Sequence, residues 1–172
     1  VEGELGTLGG IEDGVGSGQI HLTDPNEANK FIKETGLDYL ALAIGTSHGA
    51  YKFKKAPKLA MDIVQKVRAA NPTVPLVMHG SSTVPKDLRD AINSLGGEMP
   101  DAQGVPIEAI QEGIKNGVAK INIDTDGRMA ITAAIRKIFK EEPKKFDPRE
   151  YLTPAREAHA KIVAERMRQF GA

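Results

Sequence analysis

Three polar clusters stand directly after apolar runs: Gly45-Thr-Ser-His-Gly49, His79-Gly-Ser-Ser82 and Asn122-Ile-Asp-Thr-Asp126. His48 and His79 hold equivalent places in the first two, each followed by glycine. Neutral imidazole nitrogen binds zinc at about 2.0–2.1 Å, and a catalytic zinc needs three protein ligands. The pair therefore points to a metal but does not complete a site. Glu4, a carboxylate at the end of the first apolar run, is a further candidate ligand. Gly80, Ser81 and Ser82 make a donor-rich turn running into a helix near Pro85, which suits a phosphate held by backbone N–H groups and hydroxyls. The same residues also read as a serine-rich helix cap. Asn122, Ile123, Asp124 and Thr125 repeat that chemistry one strand later, and two such turns side by side form the phosphate cradle of a barrel's last strands. Glu4 and Glu12 flank a glycine-rich stretch, where a carboxylate on a mobile loop would enter with substrate as a general acid or base. The plain alternative for Glu12 and Asp13 is solvation of the loop. Lys52 and Arg149 are candidate phosphate cations among 23 basic residues, which makes each weak on its own. His21, in the glycine-rich region, and His159, in a charged terminal helix, are read as ordinary surface histidines.

The elements that must position these groups follow from periodicity. Apolar runs at Val1 to Leu5, Asp38 to Ile44, Val74 to Met78 and Ala119 to Ile123 read as strands alternating with amphipathic helices, the pattern of a parallel α/β protein. In such folds the carboxyl ends of all strands lie on one edge, so clusters remote in sequence converge there. Seven glycines between Gly3 and Gly18 predict a mobile loop with no regular element, read as a lid over residues 6–18. Thr23 or Asp24 caps a first helix, with Pro25 at its first position and Gly36 beyond its end. Pro57 is expected to open a second helix along Leu59, Ile63 and Val67, stopped by Asn71 and Pro72. Leu88, Ile92 and Leu95 mark a third, and Ile107, Ile110 and Ile114 a fourth. Asp126 is expected to cap a fifth helix that buries Ile131, Ile135 and Ile138 or Phe139. Thr153 and Pro154 are expected to start the last helix, ending near Phe170. The connections from Gly96 to Pro106 and from Glu141 to Pro154 read as surface excursions.

Charge and composition remove whole classes of function. Lys plus Arg, 23, equals Asp plus Glu, 23, so no global positive field exists to gather nucleic acid or an anionic membrane, and any phosphate site must be built locally. Zero cysteine excludes a disulfide frame, a cysteine-ligated zinc and a thiol nucleophile. No run of eighteen apolar residues and no basic-then-apolar leader is present, which predicts no membrane span, no signal peptide and a cytoplasmic protein. At 172 residues one domain is expected, and the absence of an initial Met suggests that the start of the chain is missing.

The motifs Val1-Glu-Gly-Glu-Leu-Gly6, Gly10-Ile-Glu-Asp-Gly14, Ile44-Gly-Thr-Ser-His-Gly-Ala-Tyr-Lys52, His79-Gly-Ser-Ser82 and Lys120-Ile-Asn-Ile-Asp-Thr-Asp126 resemble, in order, those of class II fructose-bisphosphate aldolases. The resemblance covers nearly the whole chain, and five ordered motifs make it specific. It implies an α/β fold of the (β/α)8 TIM-barrel type, with this chain supplying strands five to eight and residues 141–172 a C-terminal extension. Such barrels run about 250 residues, so the family's first half, with its third zinc histidine and the aspartate beside it, has no counterpart here. The resemblance makes His48 and His79 zinc ligands and Glu4 a carboxylate for a second or displaced metal. It gives Gly49, Gly80, Ser81, Ser82 and Asn122 through Thr125, with Lys52 nearby, the task of holding dihydroxyacetone phosphate. Glu12 matches the loop glutamate of proton transfer, and Arg149 an arginine reaching the other phosphate from a neighbouring subunit. A homo-oligomer, dimer or tetramer, is implied, together with Zn2+, a second divalent metal and a monovalent cation.

The implied reaction is the reversible aldol cleavage of fructose 1,6-bisphosphate to dihydroxyacetone phosphate and glyceraldehyde 3-phosphate. Lys120 would suggest a Schiff-base aldolase, but it is expected at the start of its strand, away from the active edge. Tagatose-bisphosphate aldolase is the nearest alternative, and the Asn122-Ile-Asp-Thr-Asp126 motif looks like the fructose enzymes. A metal-dependent hydrolase would need a His-x-His pair or bridging carboxylates, and the sequence has neither. A non-catalytic sugar-phosphate-binding half-barrel is favoured only by the missing half. A chain of four strands cannot close a barrel, so a stable active enzyme is expected to include an upstream segment of similar size.

Overall fold

The computed structural model describes residues 1–12, 15–17, 20–49, 53, 57–101 and 103–171, with the backbone alone at 11, 12 and 15–17. Strand β1 (Glu2–Leu5) leads through β2 (Gly10–Glu12) and β3 (Val15–Ser17) to helix α1 (Pro25–Thr35). Next come β4 (Tyr39–Leu42) with α2 (Met61–Ala70), then β5 (Leu76–Met78) with α3 (Lys86–Ser94) and α4 (Ile107–Lys115). The chain ends in β6 (Val118–Ile121), α5 (Thr125–Glu141) and α6 (Pro148–Phe170). Strands β1, β4, β5 and β6 form one parallel sheet in that order.

Side chains alternate between the two sheet faces. Leu40, Leu42, Leu76, Met78 and Val118 turn to one face and meet Ala28 and Ile32 of α1, Val64 and Val67 of α2 and Ile110 of α4 in the core. Each fully buried aliphatic side chain in that layer contributes about 1.5–3 kcal/mol. The paired positions Glu2, Tyr39, Glu4, Ala41, Val77 and Lys120 share the opposite face. Between β5 and β6 the register shifts: Leu76 pairs with Val118 but Val77 with Lys120, so Ala119 is an extra residue.

Helix α1 follows its sequence signals. Asp24 accepts from the N–H groups of Asn26 at 2.7 Å and Glu27 at 3.1 Å, Pro25 opens the helix, and Gly36 closes it in the left-handed conformation. Thr23, the alternative cap, instead joins strands: its hydroxyl donates to the Leu5 carbonyl at 2.7 Å and accepts from the Ala43 N–H at 2.8 Å.

Several expectations need correction. The glycine-rich segment, expected to lack regular structure, forms the antiparallel hairpin β2–β3, with Gly10 paired to Ser17; backbone pairing there needs no large side chains. Helix α2 starts at Met61 rather than Pro57, because the Ala60 N–H is committed to the Ile44 carbonyl at 2.9 Å. Asp126 does not cap α5: it lies in the first turn, and its carboxylate bonds to another loop. The buried stripe of α5 is Met129, Ala130 and Ala133, whereas Ile131, Ile135 and Ile138 are half-buried and Phe139 is exposed. Phe139 instead meets the edge of Tyr151, with ring centroids 5.0 Å apart. Helix α6 starts at Pro148, not Thr153, since Asp147 caps it through the Arg149 N–H at 3.0 Å and Pro148 fits its first turn. Pro154 is accommodated inside that helix, and the expected excursion from Glu141 shortens accordingly.

Candidate active site

The three polar clusters converge at the carboxyl edge of the sheet around one cavity of about 480 Å³, lined by His48, Gly49, His79, Gly80, Ser82 and residues 121–125. Close contacts set their spacing. Gly80 has φ +60°, and a Cβ there would stand 2.6 Å from the Ser47 carbonyl oxygen, so only glycine lets the two loops touch. The third cluster is tied in by the Asn122 N–H donating to the Met78 carbonyl at 2.9 Å and the Ser81 N–H donating to the Asn122 carbonyl at 3.2 Å.

His48 and His79 are neighbours, with ring centroids 6.4 Å apart and planes inclined at 34°. His79 is bracketed by carboxylates: Glu4 lies 3.2 Å from Nδ1 and Glu2 lies 2.9 Å from Nε2. The hydrogen bond to Glu4, then that to Glu2, raises the His79 pKa above the ordinary imidazole value, against the opposing effect of burial. Glu2 also accepts from Lys120 Nζ at 2.7 Å, and this bond holds its carboxyl below the ordinary range. Lys120 is thus one carboxylate away from His79, which corrects its expected place away from the active edge. Two imidazoles beside carboxylates suit zinc in kind. A tetrahedral ion would bring the ring centroids to roughly 5 Å, closer than they stand. Among the described residues no cluster of three His, Asp or Glu side chains is arranged to hold an ion.

Across the cavity, Ser82 Oγ accepts from the N–H groups of Thr125 at 3.1 Å and Asp124 at 3.3 Å, the start of α5. With its lone pairs so engaged, the hydroxyl hydrogen remains to donate, which favours an anionic acceptor in the cavity. Substituting Ser82→Ala is expected to weaken binding of inorganic phosphate about tenfold or more, the scale of one hydrogen bond to a charged group. Calorimetry with the full-length protein would check this, and an unchanged Kd would remove Ser82 from the site.

Other candidates sit elsewhere. Ser81 is fully buried, its hydroxyl donating to the carbonyls of His79 at 3.2 Å and Met78 at 3.4 Å. Arg149 lies at the start of α6, paired with Asp147 and exposed, and does not line the cavity. Lys52 and the Glu12 side chain lie outside the described residues. Sequence reasoning missed Glu2, although its two-residue spacing from Glu4 puts both on one face of β1. It also missed the buried pair of Asp126 and Arg166, whose members lie on different helices with no local signal joining them. No helix among the described residues is long and apolar enough to cross a membrane.

The family model for class-II fructose-bisphosphate aldolase matches residues 1–172. The chain belongs to that family. Class II aldolases are TIM barrels, and the four parallel strands here account for half of such a barrel. The fructose-bisphosphate aldolase of Giardia intestinalis is 56% identical over 173 residues, which cover 99% of this chain and 53% of the relative. That of Nostoc commune is 49% identical, covering 99% of this chain and 52% of its own length. The crystal structure of the YdjI aldolase from Escherichia coli K12 is 30% identical, with a TM-score of 0.63, and covers 88% of this chain and 46% of that one. The chain spans about half the length of the curated relatives it matches. Class II aldolases are metal-dependent, which agrees in kind with the imidazoles and carboxylates at the sheet edge.

Proposed function

We propose that this chain carries the metal-binding and phosphate-binding half of a zinc-dependent fructose 1,6-bisphosphate aldolase, cleaving its substrate reversibly to dihydroxyacetone phosphate and glyceraldehyde 3-phosphate in glycolysis and gluconeogenesis. The observation that carries the reading is the meeting of His48, His79, Ser82 and the 122–125 turn around one cavity. His48 and His79 hold the zinc, with Glu4 beside them for a second or displaced metal. Bound there, zinc supplies Lewis acidity toward a ketone oxygen.

The chain's own residues do the rest. The Ser82 hydroxyl, beside the 122–125 turn, binds the phosphate of dihydroxyacetone phosphate and so fixes its ketone toward the histidines. Gly49, Gly80 and Lys52 complete that binding, while buried Ser81, its N–H on the Asn122 carbonyl, ties the two turns together. Glu12, carried on the segment over residues 6–18 acting as a lid, takes the proton from the carbon beside the ketone. Arg149 reaches the second phosphate from a neighbouring subunit, which makes the working form a homo-oligomer; the protein works in the cytoplasm. A monovalent cation beside the phosphate is a further part of the reading.

Glu12→Gln is expected to leave zinc bound while slowing exchange of the substrate's acidic proton with solvent by about 10²–10⁴-fold, the usual value of a positioned base. Proton exchange at the wild-type rate would end the role of Glu12. The reading as a whole is tested by a coupled assay for triose phosphate release from the full-length protein, with and without chelator. Release abolished by chelator and restored by zinc is expected, whereas chelator-resistant release, or none at all, would overturn it.

A further inference from the structure

Arg166 lies on α6, outside the cavity, and is buried. Its Nε stands 3.0 Å from Asp126 Oδ2, and its Nη2 donates to Thr83 Oγ1 at 2.9 Å. Asp126, at 1% exposure, accepts four hydrogen bonds. Its Oδ1 takes the backbone N–H groups of Thr83 and Val84, both at 2.9 Å, and its Oδ2 takes the Thr83 hydroxyl at 2.7 Å and the guanidinium. The turn so gripped is strained: Val84 has φ +50°, a conformation that a β-branched residue seldom adopts. Ser82 is part of the same turn and meets the first amides of α5. From the far side Val105 N–H donates to the Ser82 carbonyl at 3.0 Å, and a Cβ on Gly104 would come within 2.3 Å of that oxygen.

We infer that Arg166 is a positioning residue for the phosphate turn: through its ion pair with Asp126 the last helix sets the spacing between Ser82 and the amides of α5. The inference rests on the phosphate role proposed for that turn. Its physical basis is charge compensation. A carboxylate this buried needs a cation, and without the guanidinium it must rotate toward water or take up a proton. Either change releases the Thr83 and Val84 amides, lets Val84 relax out of its positive φ and carries Ser82 with it.

The test uses the full-length protein with Arg166→Met, Arg166→Lys and Ala155→Gly, the last at a buried α6 position about three turns from Arg166. Hydrogen exchange by mass spectrometry follows residues 82–86 and 123–127, and calorimetry gives the Kd for inorganic phosphate. Arg166→Met is expected to speed exchange at least tenfold in both segments and to weaken phosphate binding at least tenfold. Arg166→Lys, which keeps the charge but not the fork, recovers part of both, while Ala155→Gly lowers the Tm without either effect. Wild-type exchange and affinity in Arg166→Met, or the same losses in Ala155→Gly, would overturn the inference alone. A wild-type protein that binds no phosphate would instead overturn the reading of the turn, and this inference with it.

Discussion

Asp126→Ala is expected to lower the unfolding free energy by about 3–5 kcal/mol, the usual cost of removing one partner from a buried ion pair. The loss is large because the substitution strands a cation and two backbone donors together. Arg166 is left with its charge buried, and the Thr83 and Val84 amides lose their acceptor. Urea unfolding of the full-length protein would measure it as a lower midpoint at constant slope. The two members of the pair should also be coupled: the double variant Asp126→Ala with Arg166→Met should lose less than the sum of the two singles, and strict additivity would sink the account. Lys86 and Asp90 offer the contrast, an exposed pair one helical turn apart whose loss should leave the midpoint unmoved.

On the proposed function, His79→Ala is expected to remove bound zinc and aldol cleavage together, with zinc affinity falling more than about 100-fold. Changes in the groups that merely orient a ligand cost about 10–100-fold, and losing a ligand should exceed them. Glu2→Gln supplies that smaller step, since Glu2 touches His79 from behind and is itself held by Lys120. Elemental analysis after dialysis, paired with the coupled cleavage assay, would follow both variants. Zinc retained by the His79→Ala protein would remove that residue from the metal site, and zinc retained equally well by Glu2→Gln would deny Glu2 any part in orienting it.

What could be read from sequence was whatever lies within about a dozen residues. Asp24, Pro25 and Gly36 delimit α1 because cap, first turn and stop are all local signals. The convergence of the histidine and serine clusters was also legible, since parallel strands put their carboxyl ends on one edge whatever the connecting helices do. Asp126 was misread for the opposite reason. Next to a helix start it has the composition of a cap, and only the fold shows its carboxylate spent on a turn 42 or 43 residues away. Pro57 likewise looks like a helix start, but a tertiary hydrogen bond to Ile44 takes the amide and delays α2. The β2–β3 hairpin escaped because backbone pairing among small residues leaves no alternation of large apolar side chains to detect.

The extra residue at Ala119 sets a reading frame. Along a strand the direction of each side chain depends on whether its position is odd or even, and one unpaired residue reverses that parity for everything after it. Ahead of the shift Val118 points to the helices; after it Lys120 and Val77 share the face that carries Glu2 and Glu4, and Met78 pairs with Ile121. Were the ladder to run on regularly from Val118 with Ala119 kept in it, every motif residue would remain in the chain, yet Ala119 would pair with Val77, Lys120 would turn toward the core and Ile121 toward the charged face. A homologue one residue shorter at that point would keep the same letters in phase on a regular strand, because what it lacks is the unpaired residue itself.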